Sequence, residues 1–380
     1  MEVLRDMQIQ GTKVPHLVIL PLPFQGHINP MLQLATLLQS KGFSITLIHT
    51  HFNSPNPSNY PNFNFEPIPD GLSDSQLWTE DPVKILYFLN DTCQAPFHDR
   101  LSRLLSDGPV TCIITDEIFY FTKAVADQLK LPRILLNTGS ATYATTTASL
   151  KLLQQNGLLS ITVGPLCKFS PGSSNSLLTQ DYSCMAWLDK QAPQTVIYVS
   201  FGSTASFDKR NVVEIAWGLA NSDQPFLWVI RRGSIHGHDQ VELPEGFEEK
   251  TRERGQIVNW APQQKVLAHP SVGGFWTHNG WNSTLESICE GVPMICSPYL
   301  WDQNLNARYV SHVWRVGIQL ENGFDRSEIE WAIRRLMVEI EGKDIRERVR
   351  DLKENAMHCI EKGGSSYESL DGLVDIIMSL

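Results

Sequence analysis

Two side chains early in the chain have the types and the setting for proton transfer. The run PLPFQGHINPMLQLATLLQSKG ends an apolar stretch with a Gly-containing turn and delivers His27 to the mouth of an amphipathic helix. Backbone N–H groups at such a mouth carry partial positive charge, which disfavours imidazolium and keeps an imidazole in the neutral form a general base needs. The apolar run VTCIITDE ends in Asp116. If its strand lies beside the one preceding His27, the carboxylate can accept a hydrogen bond from one ring nitrogen. That fixes the tautomer and stabilises the imidazolium formed when the other nitrogen takes a proton. Each residue also has a plainer reading, His27 as a polar residue of a helix first turn and Asp116 as a cap for the segment from Phe119. The chain has no GxSxG turn to supply a serine nucleophile, so the pair suits activation of a substrate hydroxyl.

A second group lies in the 44 residues from 260 to 303, WAPQQKVLAHPSVGGFWTHNGWNSTLESICEGVPMICSPYLWDQ, which are dense in Gly, Trp, His and amides. GGFWTHNG reads as a strand and tight turn, WNSTLESICEG as a short helix closed by Gly291. Strand, glycine turn and helix N-terminus leave N–H groups unpaired, a ready site for a diphosphate. His278 stands just ahead of it, and Asn282, Ser283 and Thr284 add side-chain donors. Glu286, one turn on, can accept two hydrogen bonds from a ribose diol, and Trp260 offers a flat face to a base. Taken singly, Ser283 reads equally as an N-cap, Glu286 as a partner of the helix dipole and Trp260 as core; their concentration in one stretch favours a nucleotide.

To hold these groups the chain needs parallel sheets, whose ligands sit at the carboxyl ends of the strands. Short β-branched runs alternate with segments of helical period in two series. The first places strands at 16–22, 44–50, 62–68, 110–116 and 133–137, the second at 195–201, 226–231, 256–259, 273–277, 294–297 and 317–320. The Pro-, Gly- and Ser-rich run 163–176 reads as a connector. The expected organisation is an α/β chain with an amino-terminal domain at 1–162, a connector at 163–180 and a carboxyl-terminal domain at 181–380, each a Rossmann-like parallel sheet flanked by helices.

The 380 residues are 42% hydrophobic and 19% charged, enough apolar surface to fold. A net charge of −10 would repel a phosphate backbone, so no nucleic-acid partner is expected. Seven cysteines without a CxxC pair are expected to be reduced core thiols. The polar start MEVLRDMQIQGTK and the absence of an apolar run long enough to span a bilayer lead to the expectation of a cytoplasmic protein without a membrane span. No GxGxxG follows the first strand of either series, which disfavours a nicotinamide-dependent oxidoreductase.

The stretch 260–303, with GHINP at 26–30, YVSFGS at 198–203 and GGSSYESL at 363–370, resembles the plant secondary-product glycosyltransferases. That family moves a sugar from a uridine diphosphate sugar to small hydrophobic acceptors, and the likeness extends over nearly the whole chain. It is nearest in character to the group containing cytokinin, steviol-glycoside and iridoid glucosyltransferases. The resemblance implies two facing Rossmann-like domains of the GT-B type, with the last helix crossing back to the first domain. It implies that Trp260 stacks on uracil and that the backbone of Ala261 hydrogen-bonds it. Gln263 and Glu286 would hold the ribose. His278, Asn282 and Ser283 would hold the phosphates, with Ser203 helping from the opposite loop. Asp302, Gln303 and Trp281 would bind sugar hydroxyls, and Gln303, where galactose users tend to carry His, favours glucose. His27 and Asp116 match the catalytic base and its orienting acid. The reaction expected is a single displacement with inversion, UDP-glucose being the donor co-substrate. No cofactor is expected, and no DxD pair is present to hold a metal.

One departure from the family pattern stands out. After QQNGLLS, residues 154–160, the connector follows almost at once, so several tens of residues of the first domain are expected to be missing, and the span from His27 to Asp116 is also short. The sugar-nucleotide site is expected to be intact, whereas the sequence leaves acceptor handling open; the alternative is a UDP-sugar-binding protein with impaired or no transfer. Segments 78–97 and 140–147 are expected to line the acceptor pocket, and Phe119 and Tyr120 beside Asp116 hint at an aromatic or terpenoid guest.

Overall fold

The computed structural model describes residues 14–72, 82–146, 161–169, 176–235 and 242–380, in two compact units. One comprises residues 1–177 with 360–380, the other residues 178–359. Part of each expected acceptor segment, including Trp78, lies outside the described residues.

In the first unit β1 (His16–Leu20), β2 (Ser44–Thr50), β3 (Phe63–Ile68), β4 (Cys112–Asp116) and β5 (Arg133–Leu136) form a parallel sheet in the order β3-β2-β1-β4-β5. Strands at the middle of a parallel sheet are covered on both faces, and for that reason HLVIL and CIITD are apolar almost throughout. Residues 17–20 and 112–116 are at most 1% exposed. The order reverses direction between β1 and β4, and the crevice at such a switch point is where open α/β sheets bind ligands. The helix Gln25–Ser40 leaves β1 through Pro21 and Pro23 and buries Ile28, Met31, Leu32, Ala35 and Leu38, a helical spacing, against one face of the sheet. The opposite face is covered from Gln94–Asp107 and Thr122–Leu129 through Phe97, Leu101, Val125 and Ala126.

In the second unit β6 (Val196–Ser200), β7 (Phe226–Val229), β8 (Gly255–Val258), β9 (Val272–Thr277), β10 (Met294–Cys296) and β11 (Gly317–Gln319) form a parallel sheet ordered β11-β10-β9-β6-β7-β8. Its switch point lies between β6 and β9. Gly273 and Gly274 follow Val272 in β9, where a side chain has no room: an added Cβ would lie 2.2 Å from the carbonyl oxygen of Gln194 at the first and 2.8 Å from Ile197 at the second.

All eleven strands expected from the sequence are present, within a few residues of their expected ends. The connector differs. Leu166–Phe169 is a short helix whose Leu166 is buried with Leu370, Leu373 and Ile377 of the last helix, Ser365–Ser379, in one core of the first unit. Ser366 donates to the carbonyl of Gly164, and Lys41 pairs with Asp371. The Pro and Gly content of this run marked irregular backbone but concealed the apolar side chains that anchor it. Phe119, offered as an acceptor contact, is fully buried in the core, whereas Tyr120 is exposed.

Candidate functional site

At the first switch point the carboxyl end of β4 meets the first turn of the helix following β1. Leu20 pairs with Thr115 across the two strands, so Asp116 emerges next to that turn, of which His27 is the third residue. Asp116 Oδ2 lies 2.7 Å from His27 Nδ1, and the carboxylate is completely buried. Its Oδ1 accepts the N–H of Ile118 at 3.0 Å, so the carboxylate shapes its own turn and orients the imidazole together. The Thr138 hydroxyl, two residues beyond β5, is 2.9 Å from the same His27 nitrogen. Nδ1 is therefore the anchored nitrogen of the ring. Glu117, held by Asn137 at 2.6 Å, adds a second carboxyl beside the pair; burial, then the Asp116 charge, pushes it above the usual carboxylate range.

At the second switch point β9 is followed by His278, Asn279 and Gly280 before the helix Trp281–Glu290. Gly280 is the N-cap and no side chain caps the helix; Thr284 N donates to Gly280 O, and this terminus carries the partial positive charge of a helix start. His278 is 9% exposed, its Nδ1 is buried without a hydrogen-bond partner, and burial pulls it down to about 4, leaving it neutral at ordinary pH. Its ring lies between two glycines. A Cβ added at Gly202, in the turn after β6, would meet Cε1 at 2.6 Å, and one added at Gly280 would meet Nε2 at 2.6 Å. Gly202 has φ +76°, a conformation glycine adopts without penalty. The turn therefore brings Ser203 to the same switch point.

Four side chains around this helix form one hydrogen-bond network. Gln263 Nε2 donates to Ser283 Oγ at 3.0 Å and to Glu286 Oε2 at 2.7 Å, and Gln264 Nε2 donates to Glu286 Oε1 at 3.0 Å. Ser283 is the third helical residue, so its reading as the N-cap does not hold. Trp260 is half-buried against the core and its carbonyl accepts from Asp181 N at 2.7 Å; Ala261 is buried. Trp281 and Asn282 open the helix, each partly exposed. Beyond β10, Gln303 Oε1 accepts the N–H groups of Tyr299 at 2.8 Å and Leu300 at 2.9 Å, clamping the loop. Asp302 Oδ2 accepts from Asn306 Nδ2 at 2.9 Å, and the same amide donates to Asn279 O at 3.0 Å. The loop carrying Asp302 and Gln303 is thus tied to the turn carrying His278.

Comparison with known proteins gives these arrangements a context. Residues 168–355 match the profile of the family described as UDP-glucoronosyl and UDP-glucosyl transferase. UDP-glycosyltransferase 76B1 of Arabidopsis thaliana is 41% identical over an alignment covering 98% of this chain and 100% of its own length. The chain belongs to the UDP-glycosyltransferase family. Another relative, UDP-glycosyltransferase 76G1 of Stevia rebaudiana, is 42% identical over 96% of this chain and 97% of its own. The crystal structure of Os79 from O. sativa in complex with UDP superposes with a TM-score of 0.83 at 25% identity, over 95% of this chain and 100% of that one. The fold of this glycosyltransferase is accordingly GT-B. The alignment with the Arabidopsis relative runs 448 positions, while 98% of 380 residues is about 372, so about 76 positions of it face gaps in this chain.

The structure of this UDP-glycosyltransferase brings His27 to Asp116, joins Gln263, Ser283 and Glu286, and ties Asp302 to the turn holding His278. Thr138, Gly202, Gln264, Asn279 and Tyr198, whose hydroxyl donates to Gln263 Oε1 at 3.3 Å, were not legible as members of these arrangements. Thr138 follows an ordinary strand, and Tyr198 reads as strand core. Gly280 stands in an NG pair that signals a turn but not what the glycine must leave room for. No helix among the described residues is long and apolar enough to cross a membrane.

Proposed function

We propose that this UDP-glycosyltransferase transfers glucose from UDP-glucose, with inversion and without a metal or cofactor, to the hydroxyl of a small hydrophobic metabolite. The observation that carries the reading is His278, a neutral, unpartnered and nine-tenths buried imidazole at an uncapped helix N-terminus, which suits an anion held by N–H donors. On this reading the diphosphate lies on His278, Asn282, Ser283, Ser203 and the leading amides. Uracil lies on Trp260 and the backbone of Ala261, the ribose on Gln263 and Glu286, and the hexose on Trp281, Asp302 and Gln303. The acceptor hydroxyl gives its proton to His27 as its oxygen attacks the anomeric carbon. The C–O bond to the diphosphate breaks with its electron pair, and the donors around His278 stabilise the leaving group. Asp116 holds the ring and stabilises the imidazolium; Thr138 supports the same orientation.

The alignment gaps favour a second reading, UDP-sugar binding with impaired transfer, since about 76 positions of a full-length relative have no counterpart here. A mass-spectrometric screen of a mixed library of phenols and terpenoid alcohols, with UDP-glucose and UDP-galactose as separate donors, separates the two. Hexosylated products from UDP-glucose that vanish in His27→Ala support transfer. UDP binding without product from either donor supports the second reading.

A further inference from the structure

Gln263 is the centre of the ribose half-site, and what fixes its carboxamide comes from other elements. It opens a five-residue helix, Gln263–Leu267. Its Nε2 donates to Ser283 Oγ and Glu286 Oε2, which uses both amide hydrogens. Its Oε1 accepts the Tyr198 hydroxyl at 3.3 Å. Tyr198 stands in the middle of β6, 1% exposed, with its ring stacked on Phe275 at 5.0 Å and an interplanar angle of 19°. Burial raises its phenol far above the ordinary range, so the hydroxyl keeps its proton and has it to donate. A flipped Gln263 amide would turn its carbonyl toward the Glu286 carboxylate, two acceptors face to face, and would leave an N–H pointing into the sheet.

On the reading of Gln263 and Glu286 as the ribose clamp, we propose that Tyr198 is a positioning residue for donor recognition. Its hydroxyl, supplied from inside the sheet, holds the Gln263 carboxamide in the orientation that presents Glu286 to the ribose diol. The consequence is a division of labour. Discrimination for a ribonucleotide depends on a buried strand residue that does not touch the nucleotide, through a chain running Tyr198, Gln263, Glu286.

The test is calorimetric titration of UDP and of 2′,3′-dideoxy-UDP into the full-length protein, its Tyr198→Phe and Gln263→Leu variants, and the double variant. Phenylalanine keeps the ring and its stacking on Phe275, and thermal melting checks that each variant is folded. Wild type is expected to prefer UDP by more than about tenfold, the scale of hydrogen bonds to a charged group. Tyr198→Phe is expected to weaken UDP by about 3- to 10-fold and to leave dideoxy-UDP within about twofold, so the preference narrows. In the Gln263→Leu background the same substitution is expected to change UDP affinity less than twofold, because its effect passes through the missing carbonyl. Equal weakening of both ligands, an unchanged preference, or a full Tyr198→Phe effect without Gln263 would overturn the proposal. Wild-type affinities that are equal for the two ligands would remove the ribose reading and this proposal with it, whereas a discriminating wild type with an indifferent Tyr198→Phe removes the proposal alone.

Discussion

Alanine at Gly280 probes the proposed diphosphate cradle with little else disturbed. Gly280 has φ −55° and ψ 142°, which alanine adopts without strain, so the backbone has no reason to move. The added Cβ would stand 2.6 Å from His278 Nε2, where ordinary contacts begin near 3.4 Å, so the imidazole must withdraw by about 0.8 Å. It cannot retreat freely, because His278 is only 9% exposed and packed on its other sides. Misplacing a catalytic donor by about 1 Å costs on the order of 100-fold in rate, and complete removal of such a donor costs about 100- to 1000-fold. Gly280→Ala is therefore expected to lower kcat by about 30- to 100-fold, while the loss of a glycine N-cap costs about 0.5–1 kcal/mol of stability. Steady-state kinetics with UDP-glucose and an acceptor from the screen, alongside a thermal melt, measure both. Gly372→Ala, with nothing within 4 Å of the new Cβ, is the control and is expected to leave kcat unchanged. A folded Gly280→Ala enzyme with kcat within threefold of wild type would refute the cradle.

Other consequences are equally direct. Asp116→Asn keeps the shape of the turn but loses the charge beside His27, and is expected to lower kcat by about 100- to 10,000-fold with UDP affinity unchanged, as calorimetry and kinetics together would show. His278 is held down at about 4 when folded and titrates near 6.5 when unfolded. Between those values the unfolded chain binds the extra proton, so the wild type is expected to lose stability as pH falls from 6.5 toward 4, by about 1.4 kcal/mol per pH unit. Urea unfolding of wild type and His278→Asn at pH 7 and pH 5 isolates this group, and equal pH sensitivity would count against it. Ile377→Ala, at a fully buried position of the last helix, is expected to cost about 2–5 kcal/mol by denaturant melt, because the helix closes a core of the first unit.

How far the sequence could be read depended on whether a signal was local. The strand runs HLVIL, CIITD and VIYVS are apolar because both faces are covered, and that shows directly. The pairing of His27 with Asp116 needed only β1 and β4 to be neighbours, which a doubly wound order supplies. Residues that act through space left no such mark. Thr138 approaches His27 from across 111 positions, and the Tyr198 hydroxyl looks in the sequence like any half-polar strand residue. The glycine at 280 was legible as part of a turn, while the imidazole for which it and Gly202 leave room was not. The connector misled because Pro and Gly set backbone conformation locally, whereas the burial of Leu166 depends on a helix 200 residues further on.

The central claim is that this chain moves glucose from UDP-glucose by a single displacement assisted by His27. Following the anomeric proton by NMR, during transfer from α-linked UDP-glucose to an acceptor found in the screen, tests it most directly. The account predicts a β-glucoside as the first product formed by wild type and none formed by His27→Ala. An α-glucoside as first product, or β-glucoside formed at the wild-type rate without His27, would contradict it.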